Sequence, residues 1–239
     1  MELFLIRHAE SKNNIRKNDQ DRVSDPEITG NGRLQSNHLA QFIEKGLHLP
    51  VTYHEKNEKP LDHIYCSAMK RSLETANPLG NSIRIKPEVW IGIHEVGGIY
   101  EFNSDQTKKI GKSGLNRKQI HYSFPEYVLP EDLDEKGWWN KDAESLSELS
   151  ERVSRVINTL KDRAEENIRI GLVAHGGFFS SFLCALFNLK PAEGTAFQTY
   201  NCSISQITFE KKEKIVIQYL NQYDYLPKNL RVSRPKCDI

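Results

Sequence analysis

Two short apolar runs in this chain each end on a histidine, and they limit the fold more than any other feature. The first is Leu3-Phe4-Leu5-Ile6, followed directly by Arg7 and His8. The second lies within Ile168–Phe179 and leads through Val173 and Ala174 to His175-Gly176-Gly177. An apolar run without polar alternation describes a strand buried on both faces, and such strands belong to parallel sheets covered by helices on each side. "LDHIYCS" (Leu61–Ser67) reads as another buried strand, and Ile83–Lys86 as a further short one.

Helical spacing fills the intervals. In Thr29–Gly46, Leu39, Phe42, Ile43 and Leu47 recur on one face and Gly46 stands where a helix stops. Met69–Gly80 reads as a helix broken by Pro78 and Gly80. Ser145 and Glu148 form a capping box, and Leu146, Leu149, Val153, Val156, Ile157 and Leu160 give the helix behind it an apolar stripe. Ser203–Phe209 and Lys214–Leu220 alternate and flank "EKKEK", the pattern of a hairpin. The expected fold class is α/β: a three-layer sandwich with a mixed, mostly parallel central sheet flanked by helices. Residues 1–239 make one domain. Residues 97–141, rich in Gly, Lys, Asn, Pro and aromatics, read as an inserted cap over the main body.

Composition removes several classes. With 33 Lys and Arg against 32 Asp and Glu, the formal net charge is +1, which lacks the basic excess of a nucleic-acid binder. No apolar run approaches the roughly 20 residues of a membrane helix, and no signal peptide is evident. Cys66, Cys184, Cys202 and Cys237 are scattered with no C-x-x-C pair, as expected of reduced thiols in a cytoplasmic protein. No P-loop occurs, "GNGRLQ" is no dinucleotide fingerprint, and His94-Glu95 lacks the second histidine of a zinc helix because position 98 is glycine.

In open α/β sheets the working groups collect beyond the carboxyl ends of the strands. Arg7-His8, Ser67 leading to Arg71, His175-Gly176-Gly177 and Glu95 of "IHEVGG" all stand at such positions. Two arginines offer charged forks matched to phosphate oxygens. A neutral imidazole can attack phosphorus, a carboxylic acid can protonate the leaving oxygen, and glycine N–H groups opening a helix can face an anion. His38, His48, His54, His63 and His121 lack any such context and read as structural.

These motifs resemble the histidine phosphatase superfamily, branch 1, also called the phosphoglycerate mutase-like family. "LIRHAESKNN" is similar to its R-H-G-E-S/T-x-x-N signature, with Ala9 in place of glycine. "ITGNGRLQS", "CSAMKRSLETA", "HEVGG" and "VAHGGFF" resemble four further blocks in the family's order. The resemblance implies a phosphohistidine nucleophile at His8, phosphoryl binding by Arg7, Arg71, His175 and Asn14, and a proton donor at Glu95. Ser11, Gly176 and Gly177 would line the pocket, with no metal and no cofactor. Glu101 competes with Glu95 for the acid.

The family contains phosphatases, which admit water, and cofactor-dependent mutases, which return the phosphoryl group to a sugar acid. The mutases carry paired arginines in the inserted region, whereas this chain has single basic residues there: Lys108, Lys109, Lys112, Arg117 and Lys118. The expectation is therefore a metal-independent phosphomonoesterase acting on a small phosphorylated substrate, with a mutase-type phosphotransferase as the alternative. An inactive phosphate- or phosphopeptide-binding module is a third reading; the retention of both histidines speaks against it. Neither the substrate nor the oligomeric state is written in the motifs.

Overall fold

Alternate residues of the first strand, β1 (Glu2–Arg7), serve opposite layers. Phe4 and Ile6 pack with one helical layer and Leu3 and Leu5 with the other, all four essentially inaccessible to solvent. The computed structural model describes residues 1–50, 59–133, 135–189, 197–212 and 214–231. A six-stranded sheet takes the order β3-β2-β6-β1-β7-β8. Here β2 is His63–Cys66, β3 Glu88–Val89, β6 Arg169–Ala174, β7 Ile204–Lys211 and β8 Lys214–Gln222. β1, β2, β3 and β6 run parallel, and β7 and β8 add an antiparallel hairpin against β1. The α/β class with a mixed, mostly parallel sheet is thus present. A separate two-stranded ribbon pairs β4 (Tyr100–Phe102) with β5 (Lys109–Gly111).

Among the described residues, four longer helices cover the sheet. Helices α2 (Gly30–Glu44) and α3 (Lys70–Ile83) contribute Leu39, Ile43, Leu73, Ala76 and Leu79 to one layer. Helices α5 (Leu146–Asp162) and α6 (Gly176–Leu186) contribute Val153, Val156, Phe178 and Phe182 to the other. Among the described residues there are also two short helices, α1 (Lys12–Ile15) and α4 (Arg117–Ser123), the latter burying Ile120 in the first layer's core. The capping box at Ser145 forms, with Ser145 and Glu148 bonded reciprocally. Leu146 departs from the expected stripe: it stands in the first turn, 82% exposed, ahead of the packed face.

The expectations for residues 69–86 need correction. Pro78 and Gly80 do not break the helix; α3 runs through both to Ile83. Packing against the sheet and α2 outweighs the backbone bond that proline removes. Gly80 serves close approach instead, since a Cβ there would stand 2.7 Å from the Ile85 carbonyl oxygen. The chain doubles back at Arg84, which takes a left-handed conformation (φ 57°) and ends α3. Ile83–Lys86 is therefore a helix end and a turn, and the edge strand begins at Glu88.

Cys66, Cys184 and Cys202 are buried free thiols, while Cys237 lies outside the described residues. No helix among the described residues is long and apolar enough to cross a membrane.

Candidate active site

Three neighbouring parallel strands release the chain at one level. Arg7 of β1 pairs with Ala174 of β6, and Cys66 of β2 pairs with Val173. The His8 N–H donates to the Ala174 carbonyl at 2.9 Å and the Ser67 N–H to the Val173 carbonyl at 3.1 Å, so the ladder extends one residue past each strand. His8 and His175 emerge from adjacent strands with ring centroids 5.2 Å apart.

The partners of His8 fix its tautomer. Nδ1 lies 2.7 Å from the Ala9 carbonyl oxygen, which can only accept, so Nδ1 carries the proton. Nε2 receives a hydrogen bond from Arg71 Nε at 3.2 Å, so Nε2 keeps its lone pair. Burial, then the Arg71 and Arg7 guanidinium charges, hold the His8 pKa well below the usual imidazole range. His175 is lowered in the same way by burial, Arg71 and His8. Neither ring nitrogen of His175 has a hydrogen-bond partner among the described residues, although the residue is fully buried. Buried polar atoms are normally satisfied, so two orphaned nitrogens mark a place where a ligand supplies the missing partner.

A chain of amide contacts orients Asn14. The His8 carbonyl accepts from Asn201 Nδ2 at 2.9 Å, and the same Nδ2 donates to Asn14 Oδ1 at 3.1 Å. Asn14 Oδ1 also accepts from the Ser11 N–H (2.9 Å) and hydroxyl (3.1 Å). With its oxygen so occupied, the Asn14 NH₂ is the end left to face the cleft, a donor suited to an anion.

Glu95 reaches the opening of α6. Its Oε1 accepts from the Val96 N–H at 2.9 Å and the Phe178 N–H at 2.8 Å, and its Oε2 from the Gly177 N–H at 3.3 Å. A Cβ on Gly177 would lie 2.7 Å from Oε1, so only glycine lets the carboxylate approach this closely. The Gly177 N–H, expected to face an anion, is therefore given to Glu95.

Arg7, His8, Ser11, Asn14, Arg71, Glu95, Gly176 and Gly177 line one cleft enclosing about 530 Å³ of empty space, part of it open to solvent. Arg22 and Tyr100 share its wall, with the Arg22 guanidinium 3.8 Å from the Tyr100 ring centroid. Arg7 also donates to the Thr199 carbonyl. Glu101, the rival acid, is half exposed on β4 and pairs with Lys112 at 2.9 Å outside the cleft. Among the described residues no group of three or more His, Cys, Asp or Glu is arranged to hold a metal ion.

Two further residues escaped the sequence reading. Asn201 sits in a polar loop with no motif around it. Asp25 is buried beside Arg71, with Oδ1 4.0 Å from Nη1, and accepts the Lys70 N–H at 3.1 Å where α3 begins. Burial raises the Asp25 pKa to about 6, against the opposing pull of Arg71. Its sequence signal, an acid just ahead of "ITGNG", carries no chemistry by itself.

Known proteins share this architecture. A crystal structure of a phosphoserine phosphatase mutant from Entamoeba histolytica in complex with phosphoserine superposes with a TM-score of 0.60 at 23% identity, covering 95% of this chain and 99% of that one. Rat 6-phosphofructo-2-kinase/fructose-2,6-bisphosphatase 4 is 25% identical over 248 residues, covering 98% of this chain. A probable phosphatase of Schizosaccharomyces pombe is 31% identical over 147 residues, covering 54% of this chain. The chain spans 44% of the length of the rat protein and 62% of the yeast one. A family model described as the histidine phosphatase superfamily (branch 1) matches residues 3–222, from the first strand to the last, and the chain belongs to that superfamily.

Proposed function

We propose that this protein is a metal-independent phosphomonoesterase that works through a phosphohistidine on His8. The observation that carries the reading is the fixed tautomer: His8 offers an unprotonated Nε2 beside two arginines and a buried, unpartnered His175. In the first step the Arg71 N–H turns from Nε2 to a phosphoryl oxygen, and the freed Nε2 lone pair forms a bond to phosphorus as the ester P–O bond breaks. Glu95, protonated, gives its proton to the leaving alkoxide oxygen. In the second step the Glu95 carboxylate takes a proton from water, the hydroxide oxygen bonds to phosphorus, and the N–P bond breaks to release inorganic phosphate. Arg7, Arg71, Asn14 and His175 bind the phosphoryl oxygens and stabilise the charge that grows on them. Ser11 and Gly176 shape the wall.

Residues 97–141 serve in this reading as the cap that sets specificity, supplying Gly98 and Tyr100 to the cleft. Their basic residues favour hydrolysis over mutase chemistry. Lys112 and Lys118 pair with Glu101 and Glu135, and Arg117 bonds the Leu133 and Pro130 carbonyls. Arg117 is the one arginine in this segment, so it offers no arginine pair to hold a substrate carboxylate. The substrate class is a small phosphate monoester, as in the phosphoserine complex of the structural relative.

The test is a rapid alkaline quench with a ³²P-labelled ester. The native protein should yield an acid-labile, base-stable phosphoenzyme and release phosphate in EDTA; His8→Ala should do neither. Full turnover by His8→Ala would refute the mechanism.

A further inference from the structure

Behind Glu95 lies a buried ion pair, neither member of which lines the cleft. Arg152 of α5 grips Glu144 with two arms, Nε to Oε1 at 2.6 Å and Nη2 to Oε2 at 2.7 Å. Their side chains are 7% and 2% exposed. The third arm, Nη1, donates to the carbonyls of Gly92 (2.8 Å) and His94 (3.1 Å), on the segment that leads into Glu95. The Glu144 N–H donates to the Gly97 carbonyl at 3.2 Å, on the far side of Glu95. The Arg152 guanidinium also stands 5.4 Å from the ring centroid of Phe178, whose N–H holds the Glu95 carboxylate. His94, wedged against Trp138 and Trp139, lies 2.8 Å from the Glu95 carbonyl through Nδ1.

Arg152 and Glu144 thus hold the backbone on both sides of Glu95, at Gly92 and His94 before it and at Gly97 after it. A buried ion pair is a poor device for stability alone, because desolvation offsets its attraction and apolar replacements of equal volume are often as stable. It is a good device for holding backbone carbonyls at fixed points, since the guanidinium fork is planar and rigid. We propose that Arg152, oriented by Glu144, is a positioning residue that sets where the Glu95 carboxylate stands relative to the leaving oxygen. The inference rests on the reading of Glu95 as the proton donor.

The experiment compares an alkyl phosphate, whose leaving group needs protonation, with p-nitrophenyl phosphate, whose leaving group hardly does. Glu95→Gln should lower alkyl phosphate turnover by roughly 10²-fold or more and p-nitrophenyl phosphate turnover far less. Glu101→Gln should leave both as they are. Arg152→Lys keeps the charge but loses the fork, and should lower alkyl phosphate turnover about 10-fold with p-nitrophenyl phosphate nearly unchanged. The double variant Arg152→Met/Glu144→Leu removes both charges, so its fold does not depend on an uncompensated ion. It should melt near the native temperature and still show the leaving-group-selective loss. Equal losses on both esters in the double variant, or none, would overturn the positioning role while leaving Glu95 as the acid. Absence of leaving-group dependence in Glu95→Gln itself would overturn both readings.

Discussion

Arg71 Nε donates to His8 Nε2 across 3.2 Å, and that nitrogen is the atom on which the proposed phosphoryl group would be carried. The guanidinium that orients the lone pair is also a cation beside the bond being made. Arg71→Met should therefore lower kcat/KM for p-nitrophenyl phosphate by about 10²–10³-fold, the loss typical of one preorganised charge donor. Arg71→Lys should recover little of it, because an ammonium lacks the planar fork that grips two phosphoryl oxygens at once. Recovery to within a few-fold by lysine would show that charge alone suffices.

The lowered pKa values of His8 and His175 give a signed pH dependence. As pH falls below about 6.5 the unfolded chain takes up protons on these rings while the folded one does not. The unfolded state then binds more protons, so stability drops as pH falls through that range. His175→Gln, which has no proton to gain, should lose less melting temperature than the native protein between pH 7.5 and pH 5. An identical loss in both would mean that His175 is not held neutral.

Asp25 has the opposite sign. Its folded pKa, about 6, exceeds the ordinary carboxyl value of 3.8, so the folded state keeps a proton that the unfolded state has released. Stability is lost as pH rises from about 4 to 6, and above that the penalty is complete, on the order of 3 kcal/mol. Asp25→Asn keeps an acceptor for the Lys70 N–H and removes the buried charge. Chemical denaturation at pH 8 should find the variant more stable than the native protein, with the difference vanishing at pH 4.

Asn201 and Asn14 should act as one unit. Replacing Asn201 with leucine removes the donor that fixes the Asn14 oxygen. KM for a phosphate ester should rise, and the rise should shrink in the background of Asn14→Ala, giving a coupling energy of about 1–2 kcal/mol in a double-mutant cycle. Strict additivity would mean that Asn201 acts only through the His8 carbonyl.

The strand ends were legible because β1 and β6 are unbroken apolar runs that stop on chemistry rather than on turn residues. Arg71 was legible through its motif, and the hairpin after Ile204 through alternation. What stayed hidden has physical reasons. Pro78 and Gly80 carry strong local signals against a helix, and only the packed neighbours of α3 overrule them. The Ser145 capping box was readable, yet the adjacent Glu144 was not, since its partner lies eight residues on and its work is done on the carbonyls of Gly92 and His94. Asn201 meets His8 and Asn14, and Asp25 meets Lys70 and Arg71, across long stretches of chain, which no local spacing records.

The place of β1 between β6 and β7 sets an order of events during synthesis. Residues 2–7 are made long before both strands that flank them, β6 (Arg169–Ala174) and β7 (Ile204–Lys211). At roughly 5–20 residues per second, the strand that leads to His8 waits on the order of 8–35 seconds for β6, its first partner. An apolar strand exposed for that interval is a target for chaperones and for pairing with other nascent chains. Truncation before β6 would leave it permanently unpaired, so fragments ending in that range should be recovered as aggregates and not as partially active enzyme.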